Sequence, residues 1–268
     1  MGFLSANSSE QLHDFPKTLT TLTLVQENEQ FKEIPSVANR ALEYLKQTKK
    51  PGSTRFIFMR HGQSEANVTK SVPARSEIID LTEEGVVQAQ KRGAELLANA
   101  VQIDAAFSSP SLRSCKTVGL VLAGQGTLLE PLPDERLHER WYGSLEGATA
   151  TVYAPVIQKE KEDLARMKTF AEKIHYKAQP DMESLPEVYF RNLSFIREVG
   201  GTHRGETILV GSHNAVMKTL FMVDSSCRGY DVGYRDFYIA NCALFVIEMD
   251  ENGALSLVAT EGLQFRSN

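Results

Sequence analysis

Two histidines, two arginines and a glutamate stand at the ends of runs that read as buried strands. Arg60 and His61 close Phe56-Ile57-Phe58-Met59, and His213 closes Thr207-Ile208-Leu209-Val210. Arg113 lies just beyond Ser108-Ser109-Pro110-Ser111-Leu112, and Glu139 follows the proline-broken run Leu128 to Leu132. In an open α/β sheet, ligands bind outside the carboxyl ends of the strands. These five groups are the parts needed to move a phosphoryl group through a histidine. A phosphate monoester is dianionic, so it repels an anionic nucleophile but not a neutral imidazole. Transfer is mostly positioning and stabilisation of charge on the equatorial oxygens. The guanidinium forks of Arg60 and Arg113 match those oxygens better than lysine would. A second histidine, protonated beside the anion, adds a donor. A carboxylic acid with a raised pKa gives the leaving alkoxide its proton. This set requires no metal and no cofactor, and no acidic cluster of the kind that holds magnesium accompanies it.

Each residue also has a purely structural reading. His61 alone would pass for a satisfied core histidine, Arg113 for a helix-surface charge, and Glu139 for half of a surface pair with Arg140. Trp141 and Tyr142 read equally as core aromatics or as a pocket wall. Ser64 and Gln63 read equally as caps of the loop or as substrate contacts. Asn67 adds an amide donor if the loop after His61 curls back, and Gly62 permits close approach of backbone to ligand. His13, His138, His175 and His203 belong to no motif and read as surface.

The positioning elements follow from periodicity. Residues 1 to about 17 are polar and without period, and Thr18 to Val25 reads as a strand or extended arm. Pro35-Ser36 opens a helix through Lys50, with Val37, Ala41, Leu42 and Leu45 on one face. A helix from Thr82 to about Ala100 has Thr82 as its N-cap, with Glu83 and Glu84 at the positive end of the dipole. Ala105 to Ser108 is a short strand, and Leu112, Cys115, Val118 and Val121 mark a second crossover helix. Ser184-x-x-Glu187 is a capping box for a helix to about Val199. A helix over residues 215–222 follows His213. Residues 243–249 and 255–260 read as a terminal hairpin around Asp250-Glu251-Asn252-Gly253. The alternation predicts an α/β fold: a doubly wound, mostly parallel sheet flanked by helices. Residues 1–54 form an N-terminal extension with one helix, read as a packing or homodimer-forming segment. Residues 55–268 form the domain, with a helical insertion over about 149–182 as a lid on the active edge.

The chain's 268 residues carry a formal net charge of −5, which argues against nucleic-acid partners. A local cluster of Arg and His still reverses that sign in one cleft, so a small phosphorylated substrate is compatible. Cys115, Cys227 and Cys242 are widely spaced without a C-x-x-C, as expected of free thiols in a reducing compartment. No stretch is long and apolar enough to span a bilayer, and no secretory signal opens the chain. The expected location is cytoplasmic.

The segment Arg60-His61-Gly62-x-Ser64-x-x-Asn67 resembles the signature of the histidine phosphatase superfamily, which holds the cofactor-dependent phosphoglycerate mutases and many phosphatases. Four more segments are similar in order: Asp80-Leu81-Thr82-x-x-Gly85, Ser108-Ser109-x-x-x-Arg113, Leu137-x-Glu139-Arg140-x-Tyr142-Gly143, and Ser212-His213-Asn214. Met182-Glu183-Ser184 with Arg191 looks like the family's Gly-Glu-Ser helix start, with Met for Gly. Carried over, the resemblance makes His61 the nucleophile that becomes phosphohistidine. Arg60, Arg113 and His213 then hold the phosphoryl group, Asn67 and the backbone amide of Asn214 assist, and Glu139 donates the proton. Ser64 and Tyr142 are further candidates for substrate contact. The family's mutases follow the acid motif with a lysine and then an arginine pair that grip the substrate. Here Ala148-Thr149-Ala150-Thr151-Val152-Tyr153 has no lysine, no Arg-Arg pair follows, and Trp141 replaces a histidine. The expectation is therefore a metal-independent phosphomonoester hydrolase. The alternatives are a cofactor-dependent phosphoglycerate mutase and a non-catalytic protein that binds a phospho-ligand on the same fold. A sugar phosphate, a phosphoprotein and a nucleotide all remain compatible as substrate.

Overall fold

A computed structural model describes residues 40–266, apart from 73, 74, 76 and 231. The expected Thr18–Val25 strand, the start of the helix expected from Pro35, and His13 lie outside the described residues. Six strands form one sheet in the order β3-β2-β4-β1-β5-β6. They are β1 (Thr54–Arg60), β2 (Ala105–Ser108), β3 (Leu132–Pro133), β4 (Thr207–Ser212), β5 (Phe237–Met249) and β6 (Leu255–Phe265). The first four pair in parallel; β5 runs antiparallel to β1, and β6 closes the hairpin.

Every residue of β1 is buried, because the strand has a helical layer on each face. Side chains alternate across a strand, so Phe56 and Phe58 enter one core while Ile57 and Met59 enter the other. The first core is covered by α7 (Leu185–Thr202) and α8 (Asn214–Cys227), through Val188, Phe195 and Phe221. The second is covered by α3 (Glu83–Ala98) and α4 (Leu112–Gly124), through Leu96, Val118 and Val121. The short α1 (Ala41–Leu45) also packs on this second face. It stops five residues before Lys50, because Lys46-Gln47-Thr48-Lys49-Lys50 offers no apolar side chain to bury.

Other boundaries moved for equally local reasons. β3 is two residues long at the edge of the sheet, and Leu128 is fully exposed rather than in a strand. An edge strand tolerates Pro133, whose missing N–H faces no partner. One helical turn, α2 (Glu65–Thr69), occupies what reads as loop. The 149–182 segment adds no strand: it forms α5 (Ala150–Arg166) and α6 (Phe170–His175), with Thr169 and Glu172 making a capping box on the second.

A buried lysine is held without an acidic partner in its hydrogen bonds. Lys218 on α8 is 4% exposed, and its ammonium donates to the Tyr234 and Phe237 carbonyls at 2.7 and 2.8 Å. It lies 4.7 and 4.8 Å from the centres of those two rings. Burial pushes its pKa down to about 7. Between that value and the ordinary 10.5, the unfolded chain holds more protons than the folded one. Stability contributed by this group therefore rises with pH across that window, by at most about 1.4 kcal/mol per unit. In Lys218→Met the rise should vanish. Denaturant midpoints of both proteins from pH 7 to 10 check this; parallel curves would show that Lys218 titrates normally.

Candidate active site

The carboxyl ends of β1, β2 and β4 carry the site, as the positions of Arg60, Arg113 and His213 require. All five sequence-predicted catalytic side chains come together there, none more than 6% exposed. The His61 and His213 rings are 5.3 Å apart, centre to centre. His61 Nδ1 lies 2.7 Å from the Gly62 carbonyl. A carbonyl only accepts, so Nδ1 carries the proton and Nε2 presents the lone pair. Burial, then the charges of Arg113 and Arg60, hold the His61 pKa well below 6.5. His61 is therefore neutral at pH 7 without help from a base.

Gly62 approaches the backbone of Gly85 closely. A Cβ there would meet the Gly85 carbonyl oxygen at 2.5 Å, and one on Gly85 would run into the Gln63 oxygen. The signature loop thus rests directly on the first turn of α3, which Thr82 caps through the Gly85 N–H. The Gly62 N–H donates to Thr117 Oγ1, whose hydroxyl donates in turn to the Arg113 carbonyl. The turn bearing His61 and the helix bearing Arg113 are fixed to each other by this chain.

Arg113 is fully buried at the start of α4, and burial lowers its pKa to about 10. Its Nη2 donates to His213 Nδ1 at 3.4 Å, which places the His213 proton on Nε2. That Nε2, together with Arg60 Nε, is buried with no hydrogen-bond partner among the described residues. Burial and Arg113 hold His213 neutral as it stands; a dianion beside it reverses the electrostatic part of that balance. Arg60 is anchored by Nη1 donating to the Ile239 carbonyl at 2.5 Å.

Glu139 does not pair with the Arg140 side chain. Its Oε1 accepts from the Arg140 N–H at 2.8 Å and from the Ala215 N–H, at the start of α8, at 3.2 Å. Burial nevertheless raises its pKa, outweighing those two N–H donors and the charges of Arg113 and Arg60. A clasp holds the acid's backbone. Arg75 Nε and Arg191 Nη2 both donate to the Glu139 carbonyl at 3.3 Å, and both guanidiniums bind Glu183. Glu183 also accepts from the Trp141 N–H, and Glu146 from the N–H groups of Tyr142 and Arg75.

The remaining candidates divide. Asn67 Oδ1 accepts from the Ser64 and Asn241 amides, so it shapes the loop. Ser64 holds the N-cap position of α2 in a capping box with Asn67, whereas Asn214 Oδ1 is buried without a partner among the described residues. Tyr142 turns inward, with Tyr153 of α5 edge-on at 6.3 Å, whereas Trp141 is 41% exposed. His138 is not a surface residue: it is buried against Ser109, with Nε2 2.8 Å from Glu135. Sequence reasoning missed Arg75, Glu146 and Asn241, which act through backbone groups far along the chain and match no local pattern. Asn241 donates to the His61 carbonyl at 3.0 Å.

Comparison with known proteins agrees with this geometry. The profile of the histidine phosphatase superfamily (branch 1) matches residues 56–260. The 2,3-bisphosphoglycerate-dependent phosphoglycerate mutase of Xanthobacter autotrophicus is 34% identical over 177 residues, covering 62% of this chain and 78% of that protein. Phosphoglycerate mutase from Bacillus anthracis superposes with a TM-score of 0.67 at 21% identity, over 78% of this chain and 93% of the other. A mutant phosphoserine phosphatase of Entamoeba histolytica, in complex with phosphoserine, gives 0.61 at 22%, over 78% and 96%. With its sheet, its ordered motifs and its profile in agreement over most of its length, the chain belongs to the histidine phosphatase superfamily.

Proposed function

We propose that the protein is a phosphomonoester hydrolase working through a phosphohistidine on His61, with no metal in the reaction. The observation that carries the reading is the tautomer of His61, whose unprotonated Nε2 sits in a buried cluster with Arg60, Arg113 and His213. In the first step Nε2 attacks phosphorus and the ester P–O bond breaks. The Glu139 carboxyl proton goes to the departing oxygen. In the second step the Glu139 carboxylate takes a proton from water, the resulting oxygen attacks phosphorus, and the N–P bond returns its electron pair to Nε2. Arg60, Arg113 and the His213 Nε2–H hold the phosphoryl oxygens throughout, while Ser64, Asn67, Tyr142 and the Asn214 amide border the bound ester.

The relatives' names support phosphoglycerate mutase as a second reading. Favouring hydrolysis is the insertion's side of the site, where α5, as a lid, puts the Tyr153 ring against Tyr142. Lys159 and Arg166 of the same helix are instead paired at its surface with Asp163. A mutase must retain a bisphosphorylated intermediate, and a tyrosine does so less well than a cation. A panel of phosphomonoesters with EDTA present decides between them. Phosphate release, absent in His61→Ala, with acid-labile label trapped on His61, is expected. Conversion of 3-phosphoglycerate to its isomer without net release would establish the mutase, and magnesium-dependent recovery would overturn the histidine mechanism.

Glu139→Gln should lose about 10²–10⁴-fold in kcat/KM on an alkyl phosphate, whose alkoxide needs the proton. On p-nitrophenyl phosphate, whose leaving group departs unaided, the loss should be much smaller. Arg113→Ala should lose equally on both, since it binds oxygens that the two substrates share. Equal losses for Glu139→Gln would leave it a positioning role only.

The pH profile follows from the same two shifts. Activity needs His61 neutral, so it falls with acid only as pH drops through a value well below 6.5. It needs Glu139 protonated, so it falls with base as pH rises through a value above 4.5. Glu139→Gln should abolish the alkaline limb of the alkyl phosphate profile and leave the acid limb in place. An unchanged alkaline limb would assign it to another group.

A further inference from the structure

The strand that flanks β1 is irregular beside the site. β5 pairs with β1 as far as Leu244 opposite Met59, and its register with β6 then jumps from Leu244 opposite Glu261 to Ile239 opposite Leu263. The stretch Ala240 to Ala243 therefore lies against Gly262 alone, a bulge of the kind that re-aims a side chain beside an active site. Cys242 within it has a φ of 54°. Lys70 and Ala100, the other non-glycine residues with positive φ among the described residues, sit at helix ends, where a left-handed residue is ordinary. In a strand such a residue is strained, and the strain persists only where the surroundings over-determine it. Here they do: the Cys242 side chain is buried in the second core, and its carbonyl accepts from Arg92 Nε of α3 at 3.1 Å.

What the bulge presents is Asn241. Its Nδ2 donates to the His61 carbonyl at 3.0 Å and to Asn67 Oδ1 at 3.2 Å. A carbonyl only accepts, so this nitrogen is the amide NH₂, with one hydrogen for each partner. Asn67 Oδ1 also accepts from the Ser64 N–H, so one amide ties the turn bearing His61 to the first turn of α2 and to β5. The other groups that hold His61 are the Ser212 and Gly62 carbonyls and the more distant Cys242 N–H, all of them backbone. Asn241 is the side chain among them, and it is half-buried, so replacing it opens no core cavity.

We propose that Asn241 is a positioning residue for the nucleophile: by fixing the His61 carbonyl it sets the line along which Nε2 meets phosphorus, without touching the phosphoryl group. This role rests on His61 being the residue that is phosphorylated, whichever oxygen accepts the group afterwards.

Two measurements on the full-length protein test it. Labelled p-nitrophenyl phosphate, in single turnover with excess protein and quenched without acid, reads the rate at which His61 gains the phosphoryl group. Inhibition by inorganic phosphate reads how well the pocket of Arg60, Arg113 and His213 binds. Asn241→Leu has a similar shape and no donor; it should slow labelling about 10–10²-fold, as expected for a misplaced reacting atom, and equally with an alkyl phosphate. The inhibition constant should change by no more than about threefold, because phosphate binding does not need the attack line. Asn241→Ala should behave alike and serves if circular dichroism shows Asn241→Leu unfolded. Labelling at the wild-type rate in a folded variant, or phosphate inhibition weakened as much as the rate, would overturn this role and leave the phosphohistidine intact. Absence of acid-labile label on the wild-type protein, or label retained in His61→Ala, would overturn both.

Discussion

An imidazole kept neutral beside two guanidinium groups is the constraint on which the active edge depends. Either charge alone opposes protonation of His61, and burial opposes it more. The same burial makes the cluster expensive: Arg60 and Arg113 repel each other, and Arg113 keeps its charge against a pKa lowered to about 10. Such a cluster persists only where the surrounding structure fixes its members. It does so here through backbone groups: the Ile239 carbonyl on Arg60, the Gly62 carbonyl on His61, and the Thr117 hydroxyl between the two segments. Donors fixed in this way already converge and need no reorganisation to meet an anion.

The acid is held by different means. Glu139 comes from a connection with almost no regular structure, between a two-residue edge strand and α5, so no strand or long helix aims it. Its place is set by N–H donors on the carboxylate and by two arginines on its own carbonyl, both anchored to Glu183. Glu183 sits one residue before the N-cap of α7, so the acid loop is effectively an appendage of that helix. Burial raising the acid's pKa and a clasp leaving its carboxyl in place are separate contributions. Only the first was foreseeable from residue type.

Much of this was legible in the sequence, and the divide is physical. Arg60, His61, Arg113 and His213 were readable because each follows an apolar run that reads as a buried strand or opens the helix after one. The sheet's parallel centre and terminal hairpin were readable for the same reason. What local pattern does not encode was missed. Leu128 to Leu132 has the composition of a strand, but the edge has only one neighbour to bond, and pairing survives for two residues. Glu139 beside Arg140 invited a salt bridge, yet consecutive residues point apart, and the two side chains found partners at positions 215 and 183. His138 looked like surface because it lies in no motif; it is buried because the turn at Glu135–Leu137 folds it under Ser109.

The insertion packs against the surroundings of Glu139. It is attached to two different loops: Tyr153 packs against Tyr142, three residues after Glu139, and Glu160 pairs with Arg235, next to Tyr234 in the loop before β5. Both contacts lie on α5, which so bridges the loop after Glu139 and the loop before β5. Burial is the largest cause of the raised Glu139 pKa, and burial likewise raises Tyr142 and Tyr234, so the three belong to one desolvated group beneath that helix.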